Sequence, residues 1–198
     1  MQADHKANLD AVARAVGESL VLAWAHFHLL RGLDNGRLKH PGVVTRFELL
    51  YDRLWRAAFD AFFAKVGTLL DNRRDSVSLL SFLVLARRCV DSEAKKALPA
   101  IEVELSNEGT PLAKLKRWRH EGVAHKSAAH DAVEFHTQNK LTLTQIEDAL
   151  GRLDEYFNQI SLNVLGFHGE HRSAFEGIVG QSESLFAAIA LGHAKDPE

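Results

Sequence analysis

Apolar residues recur along this chain at intervals of three and four, the period of an α-helix, and nowhere alternate with period two for long enough to build a sheet. A first helix is expected over about residues 10–33, ending in the turn-rich Asp34-Asn35-Gly36 ahead of Pro41-Gly42. A long second helix, about 43–70, carries two apolar faces. Phe47, Leu50, Tyr51, Leu54, Ala58, Ala61 and Phe62 form one, and Leu49, Trp55, Phe59, Phe63 and Val66 the other. A helix apolar on two sides is either central to a bundle or part of a dimer seam.

Asp75 or Ser76 can cap a third helix, about 77–90, in which Leu79, Leu80, Phe82, Leu83, Val84 and Leu85 leave almost no polar face. That helix is expected to be fully buried. Asp91 or Ser92 can cap a further segment that bends or breaks near Pro99. Thr110 as N-cap and Pro111 at the first helical position open another helix reaching about Lys126, and 127–140 reads as a connection. Thr142 with Gln145 spells a capping box. Behind it Ile146, Leu150, Leu153, Phe157, Ile160 and Val164 form one stripe, which stops at Gly166. A last helix covers about 173–191. The pattern predicts an all-α, up-and-down bundle of about five to seven helices, in one domain over residues 1–198.

Composition narrows this picture. A chain of 198 residues, 46% hydrophobic and 25% charged, can bury a core without metal or disulfide staples. Cys89 is the one cysteine and sits among apolar residues, so a buried, inert thiol is expected. No apolar run approaches the ~18 residues that span a bilayer, and the first residues do not resemble a signal peptide. A cytoplasmic protein without membrane partners is the expectation. A net charge of −2 argues against a surface coated in nucleic acid. A small basic patch is nevertheless visible, because Lys114, Lys116, Arg117, Arg119 and Lys126 face only Glu121 in that interval.

Inside that patch, Arg119-His120-Glu121-Gly122-Val123-Ala124-His125 sets a permanent cation and two imidazoles within about two helical turns. A guanidinium fork can clamp a phosphate, and a histidine can move protons near neutral pH. The stretch nearly spells the zinc-protease motif H-E-x-x-H. That motif needs histidines four apart, whereas His120 and His125 are five apart and diverge by about 140° on a regular helix. His26/His28 and His168/His171 have no carboxylate spaced with them in the sequence, so neither metal nor cofactor is expected. Trp118 is expected to pack in the core beside the motif.

An all-α bundle carrying Arg, a polar residue, then Ala-His resembles the HEPN (higher eukaryotes and prokaryotes nucleotide-binding) superfamily, and most of all its abortive-infection AbiU-like branch. The resemblance spans roughly 40–165. It rests on the long helix ending Ala64-Lys65-Val66-Gly67-Thr68-Leu69-Leu70-Asp71, the serine-rich apolar helix after Asp75-Ser76-Val77-Ser78, and the motif from Arg119 to Lys126. His120 stands where the family prefers Asn or Asp. The resemblance implies a metal-independent endoribonuclease of prokaryotic defence or toxin–antitoxin type. It further implies a homodimer, RNA as substrate and a possible cognate antitoxin as partner. Arg119, His125 and His120 would be its catalytic residues, and Lys114, Lys116, Arg117 and Lys126 its RNA contacts. The alternative is a non-catalytic HEPN module that binds nucleotide, RNA or a partner protein.

Overall fold

A computed structural model describes residues 2–73, 75–119 and 140–195. All regular structure among them is helical. In chain order the helices are α1 (Gln2–Lys39), α2 (Pro41–Arg46), α3 (Glu48–Leu70), α4 (Leu79–Cys89), α5 (Ser92–Ala97), α6 (Ile101–Ser106), α7 (Pro111–Arg117), α8 (Leu143–Leu165) and α9 (Gly177–Lys195), with a 3₁₀ turn at Ser173–Phe175. Among the described residues these segments outnumber the five to seven expected, and α1 is longer than its expected span. None of the described helices is long and apolar enough to cross a membrane.

The centre of the molecule is α1. Leu9, Ala13, Val16, Leu20, Ala23, Trp24, Phe27, Leu30 and Leu33 are all buried along it, and α3, α4, α8 and α9 pack around it. Burying a side chain of this size stabilises by about 1.5–3 kcal/mol. The column therefore outweighs any local preference for a break.

The expected turn at Asp34-Asn35-Gly36 is one such break, and it does not occur. The helix runs on to Lys39 and stops only before Pro41, which disfavours helix at its predecessor. The reason is tertiary. Asn35 donates to Glu183 at 2.8 Å, Lys39 pairs with the same carboxylate at 2.5 Å, and Asp34 bonds Arg37 one turn on. A Cβ at Gly36 would lie 2.3 Å from the Phe186 ring, and one at Gly32 2.6 Å from Ser182 Cβ. The two glycines let α9 settle onto α1; they do not mark a turn.

Other local signals hold. The Thr110 side chain accepts from Ala113 N–H, with Pro111 in the first turn. Thr142 and Gln145 exchange side-chain-to-backbone bonds as a capping box, and Gly166 ends α8 at φ +74°. The α8 stripe is buried at Ile146, Leu150, Leu153, Phe157 and Ile160. The expected second helix is divided at Phe47 into α2 and α3. Capping of α4 falls to Ser78, which forms a reciprocal box with Ser81, and not to Asp75 or Ser76.

Two further expectations are overturned. The α4 helix buries Leu79, Phe82, Leu83 and Ala86, but Val84 is exposed, so it is amphipathic and not fully buried. Cys89 is exposed at the C-terminal end of the same helix. An 11-residue helix docked on α1 and α8 has a solvent side whatever its composition, and Val84 and Cys89 lie on it.

Because Gly32 and Gly36 stand where helices touch, Gly32→Ala and Gly36→Ala should each destabilise the fold, although alanine favours an isolated helix by about 1 kcal/mol. Chemical denaturation measures the balance. A more stable variant at either position would remove the close-approach explanation.

Candidate functional site

The short helix α7 is positioned by its apolar face. Leu112, Ala113 and Leu115 are buried, and α7 lies against α3, α6 and α8. Trp118 and Arg119 continue it in a wider, π-type turn, a distortion that re-aims side chains without ending a helix. Trp118 packs on Phe59 and Phe63 of α3, each at a centroid distance of 5.8 Å, which makes it part of the core as expected. That anchor leaves the next residue, Arg119, directed along the surface of α3.

Gly67 receives it. A Cβ there would stand 2.7 Å from both Cγ and Nε of Arg119, so only glycine lets the arginine stem lie against the helix. One turn on is Asp71, which is buried and whose carboxylate accepts from the Arg73 backbone N–H at 3.0 Å and from its guanidinium at 2.9 Å. These bonds to Arg73, with the positive charge of Arg119 added, hold the Asp71 carboxyl below its ordinary range despite burial, which acts the other way. Asp71 also opens on a groove of about 800 Å³ between the 71–76 turn and α4, lined among others by Asn72, Arg73, Ser81, Arg88 and Glu102.

Of the residues singled out in the sequence, Lys114, Lys116, Arg117 and Arg119 share this end of the molecule. All four are half-buried, and Arg117 forms an ion pair with Glu108 at 2.9 Å. His120, His125 and Lys126 lie outside the described residues. Gly67 and Asp71 entered the sequence reading only as part of the family resemblance and not as site residues, and Arg73 and Arg88 were not singled out. A glycine within a long apolar helix, followed by a run of polar residues at its end, was the available signal.

Elsewhere, Tyr156 is committed to structure. Its hydroxyl donates to Glu104, accepts from Arg152 at 2.9 Å, and is shifted up by burial and by that carboxylate. Among the described residues no three His, Cys, Asp or Glu side chains converge as metal ligands. His28 Nε2 instead meets the Arg172 carbonyl at 3.1 Å and its ring stacks on Trp24. His171 does have a carboxylate, Asp154 at 2.5 Å, contributed by α8 and not by its own segment.

Among the described residues, then, a helical bundle sets a basic turn against a glycine of α3 and the carboxylate at its end. The chain belongs to the AbiU2 family of HEPN domains, whose model matches residues 5–174. No curated protein and no solved structure matches it significantly.

Because the Asp71 carboxyl is held low, its contribution to stability is complete above the unfolded value of about 4 and is lost as pH falls through the folded value. Asp71→Asn should therefore cost about 1–3 kcal/mol at pH 7. The gap from the parent should begin to close in denaturation curves near about pH 4 and shrink further as pH falls toward the folded value. A gap that stays constant from neutral to acid pH would show that the carboxylate charge contributes nothing.

Proposed function

We propose that this chain is a metal-independent endoribonuclease of the abortive-infection or toxin–antitoxin type, working as a homodimer. The observation that supports this most is that the AbiU2 match covers the whole interval from Gly67 to His125, with Arg119 seated on a glycine beside a buried carboxylate.

In this reading Arg119 holds the scissile phosphate of RNA and offsets the charge that builds on its oxygens. One His125 takes the proton from the ribose 2′-OH as that oxygen attacks phosphorus. The P–O5′ bond breaks, and a second imidazole gives a proton to O5′. His125 of a second copy supplies that imidazole, which is why two chains are needed. His120 sits beside Arg119 in sequence and assists it. Lys114, Lys116, Arg117 and Lys126 contact the RNA backbone, and the groove next to Asp71 brings Arg73 and Arg88 to the same strand.

The dimer seam is supported by α3. One face of its C-terminal half is buried, but Leu49, Leu50 and Leu54 in its N-terminal half are exposed at 71%, 58% and 48%, with Phe47 beside them. A contiguous apolar stretch on a helix otherwise packed in the core is the signature of a surface awaiting a partner. Leu50→Arg together with Leu54→Glu should shift the protein from dimer to monomer in sedimentation and abolish cleavage while the helical circular-dichroism signal persists. A variant that stays dimeric would move the seam elsewhere.

The chemistry has a direct test. The purified protein should cut RNA in EDTA and leave a 2′,3′-cyclic phosphate or its hydrolysis product, while DNA and 2′-O-methyl RNA stay intact. His125→Ala and Arg119→Ala should each abolish cutting without unfolding. Gly67→Ala should reduce it by displacing Arg119, yet leave stability unchanged or raised by about 1 kcal/mol. An equal mixture of the two inactive mutants should recover part of the activity if a cleft draws on both chains. Strict dependence on a divalent metal, or efficient cutting of DNA, would overturn the proposal.

A further inference from the structure

A second site lies at the other face of α1, around His171. The segment after α8 is unusually well tied for a loop. Asn158 donates to the Gly169 carbonyl at 3.0 Å and accepts from its N–H at 2.8 Å. His28 meets the Arg172 carbonyl, and the Arg172 side chain pairs with Glu147 at 2.5 Å while lying over the Trp24 ring. Between these anchors the His171 ring is held by Asp154 at Nδ1 and edge-on to Phe157 at 5.0 Å. A Cβ at Gly169 would stand 2.6 Å from that ring, so glycine is required for it to occupy this position.

The other nitrogen of the ring is left over. His171 is 8% exposed, and its Nε2 has no hydrogen-bond partner among the described residues although it is not sealed from solvent. It faces Gly17 of α1, whose missing side chain leaves 3.5 Å between a would-be Cβ and Nε2. The space there is a cavity of about 750 Å³, within the range of small-molecule sites. Its walls are apolar, from Val21, Leu22, Phe157, Leu165 and Phe167, and Leu22 and Phe167 expose large faces. Asp10 and Glu18 stand at the rim against Arg14, so the mouth is net negative and disfavours anions.

With the Asp154 carboxylate accepting at Nδ1, the tautomer this geometry selects carries its proton on Nδ1 and leaves Nε2 as an acceptor. We propose that this cavity is a binding site for a small, flat, neutral apolar molecule carrying one O–H or N–H donor, which His171 Nε2 accepts. The site is independent of Arg119 and of the ribonuclease reading: it is formed by α1, α8 and the 166–172 segment.

The test uses 2-naphthol, its ether 2-methoxynaphthalene and the anion 2-naphthoate on the intact chain, by calorimetry and by the histidine side-chain resonances. We expect 2-naphthol to bind with a Kd below about 1 mM, as a flat bicyclic in a preformed pocket should, and to move the His171 Nε2 signal. The ether, which lacks the donor, should bind about tenfold more weakly, the loss of one hydrogen bond. His171→Phe keeps the ring shape and should erase that preference while apolar binding persists. Gly17→Leu should fill the cavity and block all three probes, with helicity checked by circular dichroism. No binding to the parent protein, equal affinity for naphthol and its ether, or tighter binding of the naphthoate would each overturn the proposal.

Discussion

The rest of the molecule depends on the burial of α1. A 38-residue helix with buried side chains from Leu9 to Leu33 carries the core, and its N-terminal half keeps one exposed stripe through Ala11, Arg14, Glu18 and Leu22. Its aromatic segment is the densest part. Trp24, Phe27 and Phe62 are fully buried, with Phe27 against both Trp24 and Phe62. Removing one such ring typically costs about 3–5 kcal/mol, comparable with a domain's whole stability margin. The His171 site lies on α1 directly, and the Arg119 turn reaches it through α3, which packs on it.

Glycine does a related task at several places where elements meet. Gly32 and Gly36 admit α9, Gly67 admits the Arg119 stem, and Gly169 admits the His171 ring. In the first case the Ser182 and Phe186 side chains of α9 approach the α1 backbone, and the gain is packing. In the other two a glycine makes room for a polar side chain with an acid beside it: Asp71 near Arg119, and Asp154 on His171. That shared construction, a small residue beneath and a carboxylate alongside, restricts a polar side chain that would otherwise sample many rotamers.

The two sites face different demands. The Arg119 turn is partly exposed and basic and is set beside an open polar groove. The His171 cavity is apolar and acidic at its rim, which repels phosphate. The AbiU2 family match encloses both, since it runs from residue 5 to residue 174.

How much of this was legible in the sequence follows from the range of each interaction. Caps and stripes are local: Thr110-Pro111, Thr142 with Gln145, the Ile146-to-Ile160 stripe and Gly166 could be read because the partners lie within a few residues. The all-helical class and the family resemblance came from the same periodicity and motif order. Asp34-Asn35-Gly36 was misread because Glu183 and Phe186, which hold that stretch helical, lie nearly 150 residues away. Cys89 and Val84 were placed in the core from apolar neighbours, but which side of a short helix meets solvent depends on what it docks against. The pairing of Asp154 with His171, and the seat of Arg119 on Gly67, belong to the same class. Sequence by itself determined the helical class and those helix ends whose caps are local, through short-range hydrogen bonds and one-dimensional spacing. Only the tertiary structure decided which residues share a site, because packing chooses among contacts that no local pattern records.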